Sequence, residues 1–151
     1  MIIKVRKANK LDVKDIFDWR NDELSRKMSP SNDFIEYKTH TRWFASSLSS
    51  GNNLLLICEN QLNKKKICFV SFMNYGKTVI SINFSPSMRG KGLAKECLEK
   101  TITYFKFNFN NVLSVNAKIA VENIVSKVIF ESVGFKFEKV LDGFLYYRYQ
   151  L

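Results

Sequence analysis

The segment Ser85-Pro86-Ser87-Met88-Arg89-Gly90-Lys91-Gly92-Leu93-Ala94 has the residue types and spacing best suited to chemistry. It lies between a predicted strand and a predicted long helix. A chain entering a helix exposes amide donors that no earlier helical carbonyl can take, and such donors suit phosphate oxygens. Gly90 and Gly92 let the backbone approach an anion with no Cβ in the way, while Arg89 and Lys91 add positive charge. The segment is too short for an eight-position P-loop and lacks its Lys-Ser/Thr ending. The antiparallel strands expected before it also argue against a dinucleotide-binding crossover. From these residues alone two readings stand: a phosphate cradle, or a basic turn that opens a helix. The cysteines Cys58, Cys68 and Cys97 have neither the even count of a disulfide scaffold nor the short paired spacing of a zinc or redox site. No metal centre is expected, and the reading is a protein of a reducing cytoplasm.

The elements that must hold this loop follow from hydrophobic period. A first strand is expected over residues 2–7; its basic residues and short apolar stretch mark it as a strand and not a signal peptide. Asn9 followed by Asp12 starts a helix whose apolar face is Val13, Ile16, Phe17 and Leu24, with a break near Asn21. After a turn at Ser29-Pro30-Ser31-Asn32, a second helix spans about 35–48, with Tyr37, His40, Phe44 and Leu48 at helical spacing. Three strands follow, Leu54 to Cys58, Ile67 to Phe72 and Val79 to Phe84, and their short polar connections predict an antiparallel meander. Leu93, Ala94, Cys97, Leu98, Thr101, Ile102 and Phe105 form the stripe of a helix reaching about Phe107. Leu113 to Ala117 reads as a strand, and Asn123 to Val133 as a helix closed by Gly134. Phe135 to Val140 and Phe144 to Tyr149 read as a hairpin around Asp142-Gly143. The order is β-α-α-β-β-β-α-β-α-β-β, an α+β chain.

The 151 residues make one domain, 1–151, with room for a core and none for a separate cofactor domain. No apolar run reaches the roughly 18 residues of a membrane span. Lys+Arg 24 against Asp+Glu 14 gives a net charge of +10, which favours acidic ligands without naming one. Nucleic acid is not the expected partner, because Lys64-Lys65-Lys66 reads as a solvated turn and no wider basic face is evident.

Arg89-Gly90-Lys91-Gly92-Leu93-Ala94 resembles the R/Q-x-x-G-x-G/A acetyl-CoA signature of the GCN5-related N-acetyltransferase (GNAT) superfamily. The stretch from Val121 to Phe135, with Asn123, Ser126 and Gly134-Phe135, resembles its second motif, an N-x-x-S/A helix ending in G-F. Order and separation match as well, so the resemblance covers essentially the whole chain. It implies a mostly antiparallel central sheet, flanked by helices, in which the strands Val79 to Phe84 and Leu113 to Ala117 splay into a V for acetyl-CoA. By this likeness Ile82, Asn83 and Phe84 would hold the pantetheine arm through the main chain, and the amides of Gly90, Gly92, Leu93 and Ala94 would receive the pyrophosphate. Arg89 and Lys91 would screen its charge. Asn123 would hydrogen-bond the arm, and Ser126, Lys127 and Phe130 would line its later course; read without the likeness, Asn123 is a helix cap.

Many relatives carry Tyr seven residues after the motif asparagine to protonate the departing thiolate. Here Phe130 stands there, which packs but donates no proton. Another group or water must then serve. The chemistry is direct attack of a neutral amine on a thioester, which needs an ammonium proton removed and an oxyanion stabilised. The candidate bases are Glu59, at a strand end, and His40, on the second helix, with Asp18 a third and Ser81 a relay through water.

Acceptor recognition is expected ahead of the cofactor motif. Asp18-Trp19-Arg20-Asn21-Asp22 and His40-Thr41-Arg42-Trp43-Phe44 resemble the W-R-N and H-x-x-W-F elements of two kinds of relative. One acts on protein N-termini; the other acetylates the 4-amino group of nucleotide-linked amino-deoxysugars, as in the pseudaminic-acid pathway. The likeness implies substrate contacts from Trp19, Arg20, Asn21, His40, Arg42 and Trp43, and arginine beside aromatics fits a sugar nucleotide or a peptide end. Core packing is the competing reading for both tryptophans. The expected activity is acetyl transfer from acetyl-CoA to a nucleotide-linked aminosugar, with a protein N-terminus or another small amine as the alternative. A non-catalytic acyl-CoA-binding module is the alternative of a different class. A monomer and a homodimer are both compatible with the sequence.

Overall fold

A computed structural model describes residues 1–29 and 33–151. Apart from Ser29, the turn expected at Pro30, Ser31 and Asn32 lies outside the described residues. The meander forms as its alternation predicts: β1 (Ile3–Lys7), β2 (Leu54–Asn60), β3 (Lys66–Asn74) and β4 (Thr78–Phe84) pair antiparallel in sequence order. Next to β4 runs β5 (Ser114–Ala120), parallel to it, and the hairpin of β6 (Lys136–Leu141) and β7 (Phe144–Gln150) completes a seven-stranded sheet in the order β1-β2-β3-β4-β5-β7-β6. Asp142 and Gly143 both have positive φ, 51° and 82°, the pairing a two-residue hairpin turn requires.

Alternation sends the two sides of each strand to different cores. Leu56, Cys58, Val70, Phe72 and Ile80 face α4 (Ala94–Asn108) and α5 (Ile124–Val133), where they meet Leu98, Ile102, Phe105 and Phe130. Leu55, Ile57, Phe69 and Met73 face α1 (Val13–Asn21) and α3 (Tyr37–Ser49), where they meet Ile16, Trp19 and Phe44. The stripe expected for α4 is buried from Cys97 through Phe105.

The capping box between Asn9 and Asp12 forms as expected, but it opens a 3-10 turn, Lys10–Asp12, that leads into α1. The helix breaks at Asp22, whose extended backbone and side-chain bond to the Ser25 amide start a second short helix, α2 (Glu23–Met28). Leu24 is thereby carried out of the apolar face and is exposed. In α3 the buried row is His40, Phe44 and Ser47, while Tyr37 and Leu48, at the helix ends, are exposed.

The feature that positions a site is the junction of β4 and β5. β3 and β4 are in register at seven pairs of residues, but β4 and β5 at only one, Val79 with Asn116, reinforced by Asn116 Nδ2 donating to the Thr78 carbonyl at 3.2 Å. Beyond Val79 the two strands part, leaving the main chain of β4 up to Phe84 without a β5 partner.

Candidate active site

The loop from β4 to α4 lies at the open end of this V. A short 3-10 turn, Pro86–Met88, anchors it, with the Ser85 amide bonded to the Ile67 carbonyl and Met88 buried. Gly90 and Gly92 have φ of 71° and 72°, and nothing lies within 4 Å of where a Cβ would stand on either. α4 then begins on Leu93, which offers no capping side chain, and the Cys97 amide bonds back to the Leu93 carbonyl. The amides just before Cys97 therefore have neither a helical carbonyl nor a cap. A glycine cradle in open space, continuous with an uncapped 15-residue helix, suits a pyrophosphate, and the bare edge of β4 suits an amide-bearing arm. The residues present thus fit coenzyme A.

The cofactor candidates divide by environment. Ile82, Asn83 and Phe84 lie on the stretch of β4 that pairs with β3 but not with β5, half-buried. Lys91 and Lys127 are exposed. Asn123 caps α5 through Oδ1, which accepts from the Ser126 amide at 3.2 Å, leaving its Nδ2 donors for another partner. Cap and ligand contact are thus compatible in one side chain. Phe130 is in the core, edge-on to Phe135 at 4.9 Å. Arg89 is held by the start of α2: its guanidinium donates to Asp22 Oδ2 at 2.7 Å and to Ser25 Oγ at 2.9 Å.

On the other face of the sheet α1 packs against β4. Ser81, in the middle of β4, is nevertheless exposed, its hydroxyl 2.8 Å from that of buried Ser71. The floor beside α1 is therefore open to solvent. Arg20, in the last turn of α1, stacks its guanidinium on the Trp43 ring at 4.4 Å and places Nη1 3.3 Å from His40 Nδ1. Burial pulls its pKa down, opposed by Tyr75 in the β3–β4 turn. Among the described residues it has no carboxylate partner.

His40 is 1% exposed, enclosed by the rings of Phe17, Trp43 and Phe44. Its Nε2 lies 3.0 Å from the Val13 carbonyl. Burial lowers its pKa, the Val13 bond opposes this, and the Arg20 charge lowers it further. Asn21 clasps the chain entering α3, its Nδ2 donating to the Ile35 carbonyl and its Oδ1 accepting from the Ile35 amide. Trp19 is buried in the core; Arg42 is exposed, and Asp18 is exposed and paired with Lys14. Glu59 stands on β2, with β3 between it and β4, and accepts from Arg6 Nε at 3.1 Å. The structure brings Arg20, His40 and Trp43 together, links Arg89 to Asp22, and leaves Glu59 and Arg42 apart from them.

Sequence spacing did not reveal that the three cysteines converge. Their sulfurs lie within 4.8 Å of one another, all buried, under the first turn of α4. The available signal was period: Cys58 and Cys68 occupy the same side of adjacent strands, and Cys97 lies in the α4 stripe that packs on that side.

Residues 3–136 match the acetyltransferase (GNAT) domain family. The chain belongs to this family. It is therefore an acetyl-CoA-dependent N-acetyltransferase. A search of curated proteins found no sequence relative. Solved structures share the fold at low identity. Spermidine N-acetyltransferase from Vibrio cholerae, in complex with CoA and spermine, is 16% identical with a TM-score of 0.82, covering 98% of this chain and 95% of its own. An N-acetyltransferase from Staphylococcus aureus Mu50 is 19% identical with a TM-score of 0.83, covering 99% of each chain. The yncA protein of Salmonella typhimurium, solved with acetyl-CoA, is 19% identical with a TM-score of 0.79, covering 98% of this chain and 93% of its own. No helix among the described residues is long and apolar enough to cross a membrane.

Proposed function

We propose that this GNAT enzyme acetylates the 4-amino group of a nucleotide-linked amino-deoxysugar. One observation carries the choice of acceptor: Arg20 is a half-buried cation beside the open floor of β4, stacked on Trp43 and with no carboxylate partner among the described residues. A partly desolvated guanidinium with donors to spare is a costly arrangement unless a ligand supplies the anion, and a planar fork beside an aromatic ring suits phosphate oxygens. The same charge disfavours a polyamine, although spermidine N-acetyltransferases share the fold.

Acetyl-CoA supplies the activated acetyl group. The amides of Gly90, Gly92, Leu93 and Ala94 hold its pyrophosphate with Lys91 beside them, while the main chain of Ile82, Asn83 and Phe84, the Asn123 amide, Ser126 and Lys127 guide the arm. Ser81 serves the acceptor side. Its hydroxyl is exposed and hydrogen-bonded to that of Ser71, a place from which it can pass the ammonium proton to solvent through water. Glu59 would first have to leave Arg6, and His40 would have to give up Arg20, so neither suits the role of base. Phe130, in the core, has no proton to give, so another group or water would have to protonate the departing thiolate.

The test is a panel of 4-amino-sugar nucleotides, spermidine and a peptide with a free N-terminus, each incubated with acetyl-CoA and read as thiol released. The sugar nucleotides should turn over fastest. Equal or faster turnover of spermidine would refute the anionic acceptor, and preference for the peptide would favour the N-terminal reading.

A further inference from the structure

We infer that His40 acts as the positioning residue of Arg20, a neutral imidazole that aims the guanidinium at the acceptor's anionic group and releases it when protonated. The inference rests on the proposed reading of Arg20 as the acceptor's anion contact. The hydrogen-bond inventory fixes the imidazole. The Val13 carbonyl at 3.0 Å can only accept, so Nε2 must carry a proton; Arg20 Nη1 at 3.3 Å can only donate, so Nδ1 must be bare. A single uncharged tautomer satisfies both.

Protonation at Nδ1 would turn an acceptor into a donor facing a donor and set two cations against each other where water is largely excluded. Among the described residues no carboxylate is paired with His40 or Arg20 to absorb that charge. The groups packed on the ring are Phe17 and the Val13 carbonyl from α1 and Trp43 and Phe44 from α3, and among the described residues Arg20 is the one charged group acting on it. The imidazolium and the Trp43-stacked guanidinium cannot both keep their places, and Arg20, half-buried at the end of α1, is the one with a path to solvent. Acidification should therefore weaken acceptor binding and leave CoA binding unchanged.

His40 is the only histidine of the chain, so its ring resonances need no assignment by mutation. Nitrogen NMR of the protein should show the Nε2-protonated tautomer at neutral pH and a titration midpoint below the ordinary histidine value of about 6.5. The binding probe is UDP-glucose, whose pyrophosphate diester does not titrate in this range, followed by calorimetry in CoA-saturated protein. Its Kd should rise about tenfold per pH unit below the His40 midpoint, as the competent fraction falls. In H40N, whose side-chain oxygen can take the place of Nδ1 without titrating, Kd should be flat over the same range.

An Nδ1-protonated tautomer, or a Kd in the wild type that ignores the imidazole titration, overturns the inference while sparing the acceptor reading. A slope that persists in H40N does the same. Failure of UDP-glucose to bind at any pH refutes the acceptor reading, and this inference with it. Should H40N fail to fold, the wild-type tautomer and pH profile still decide.

Discussion

On the proposed reading Gly92 serves the cofactor and Arg20 the acceptor, and substitution separates the two. Gly92 has φ of 72° and open space where a Cβ would project, so a side chain there strains the backbone and stands in the pyrophosphate cradle without striking the protein. G92V should weaken CoA binding more than about tenfold by calorimetry, while costing about 1–2 kcal/mol of stability from the left-handed backbone alone. Unchanged CoA affinity would remove the cradle assignment. R20M keeps the stem against Trp43 and loses the charge-assisted bonds, which are each worth about 1.5–3 kcal/mol. The acceptor KM should rise about tenfold or more with the acetyl-CoA KM steady; a KM for acetyl-CoA that moves instead would place Arg20 on the cofactor side. The left-handed backbone of the loop was legible in the sequence because glycine answers a backbone requirement local to it. The role of Arg89 was not, since its partner Asp22 lies 67 residues away and no local pattern joins them. Nor was the environment of His40, whose helical spacing shows that it faces inward but not that Val13 and Arg20 occupy both its nitrogens.

Between elements, the joint of α1 and α2 is tied directly to the cofactor loop. Asp22 is at once the cap that starts α2 and the anion that holds Arg89, which keeps its carboxyl below its usual range against the effect of partial burial. On the proposed reading, a change at this joint would be felt on both sides of the cleft. D22A removes the cap, at a cost of about 1 kcal/mol, and frees Arg89 from α2. Steady-state kinetics should show the acceptor and acetyl-CoA KM values rising together, in contrast to R20M and G92V; a rise in one alone would mean that the Asp22–Arg89 pair does not couple them. The elements themselves were readable because period two and period 3.6 are imposed by burial on one face. Pairing across α4 was not: β4 and β5 share one registered residue pair, and no hydrophobic pattern encodes where two parallel strands stop pairing. Only the likeness to a family implied the V.

Across the whole molecule, the net charge of +10 makes the few carboxylates that face cations count for stability. Asp12, 1% exposed, accepts from both arms of Arg6 at 2.8 and 2.9 Å and pairs with Lys66 at 2.7 Å. This joins β1, the start of α1 and β3, while Arg6 also reaches Glu59 on β2. Burial alone would raise the Asp12 pKa, but the bonds from Arg6 and Lys66 outweigh it and hold the carboxyl at about 2. A folded-state pKa below the unfolded value of 3.8 means that the unfolded chain binds the proton more readily, so this stabilisation is complete above about pH 4. It fades as pH falls towards 2, and the shift corresponds to about 2 kcal/mol. Urea unfolding of the wild type should therefore lose about that much between pH 4 and pH 2 through Asp12. D12N should be destabilised at neutral pH and show a shallower decline over the same interval, because the group that titrates there is gone while Arg6 and Lys66 remain to repel each other. Parallel declines in the two proteins would mean that acid unfolding is driven by the general build-up of positive charge and not by this pair.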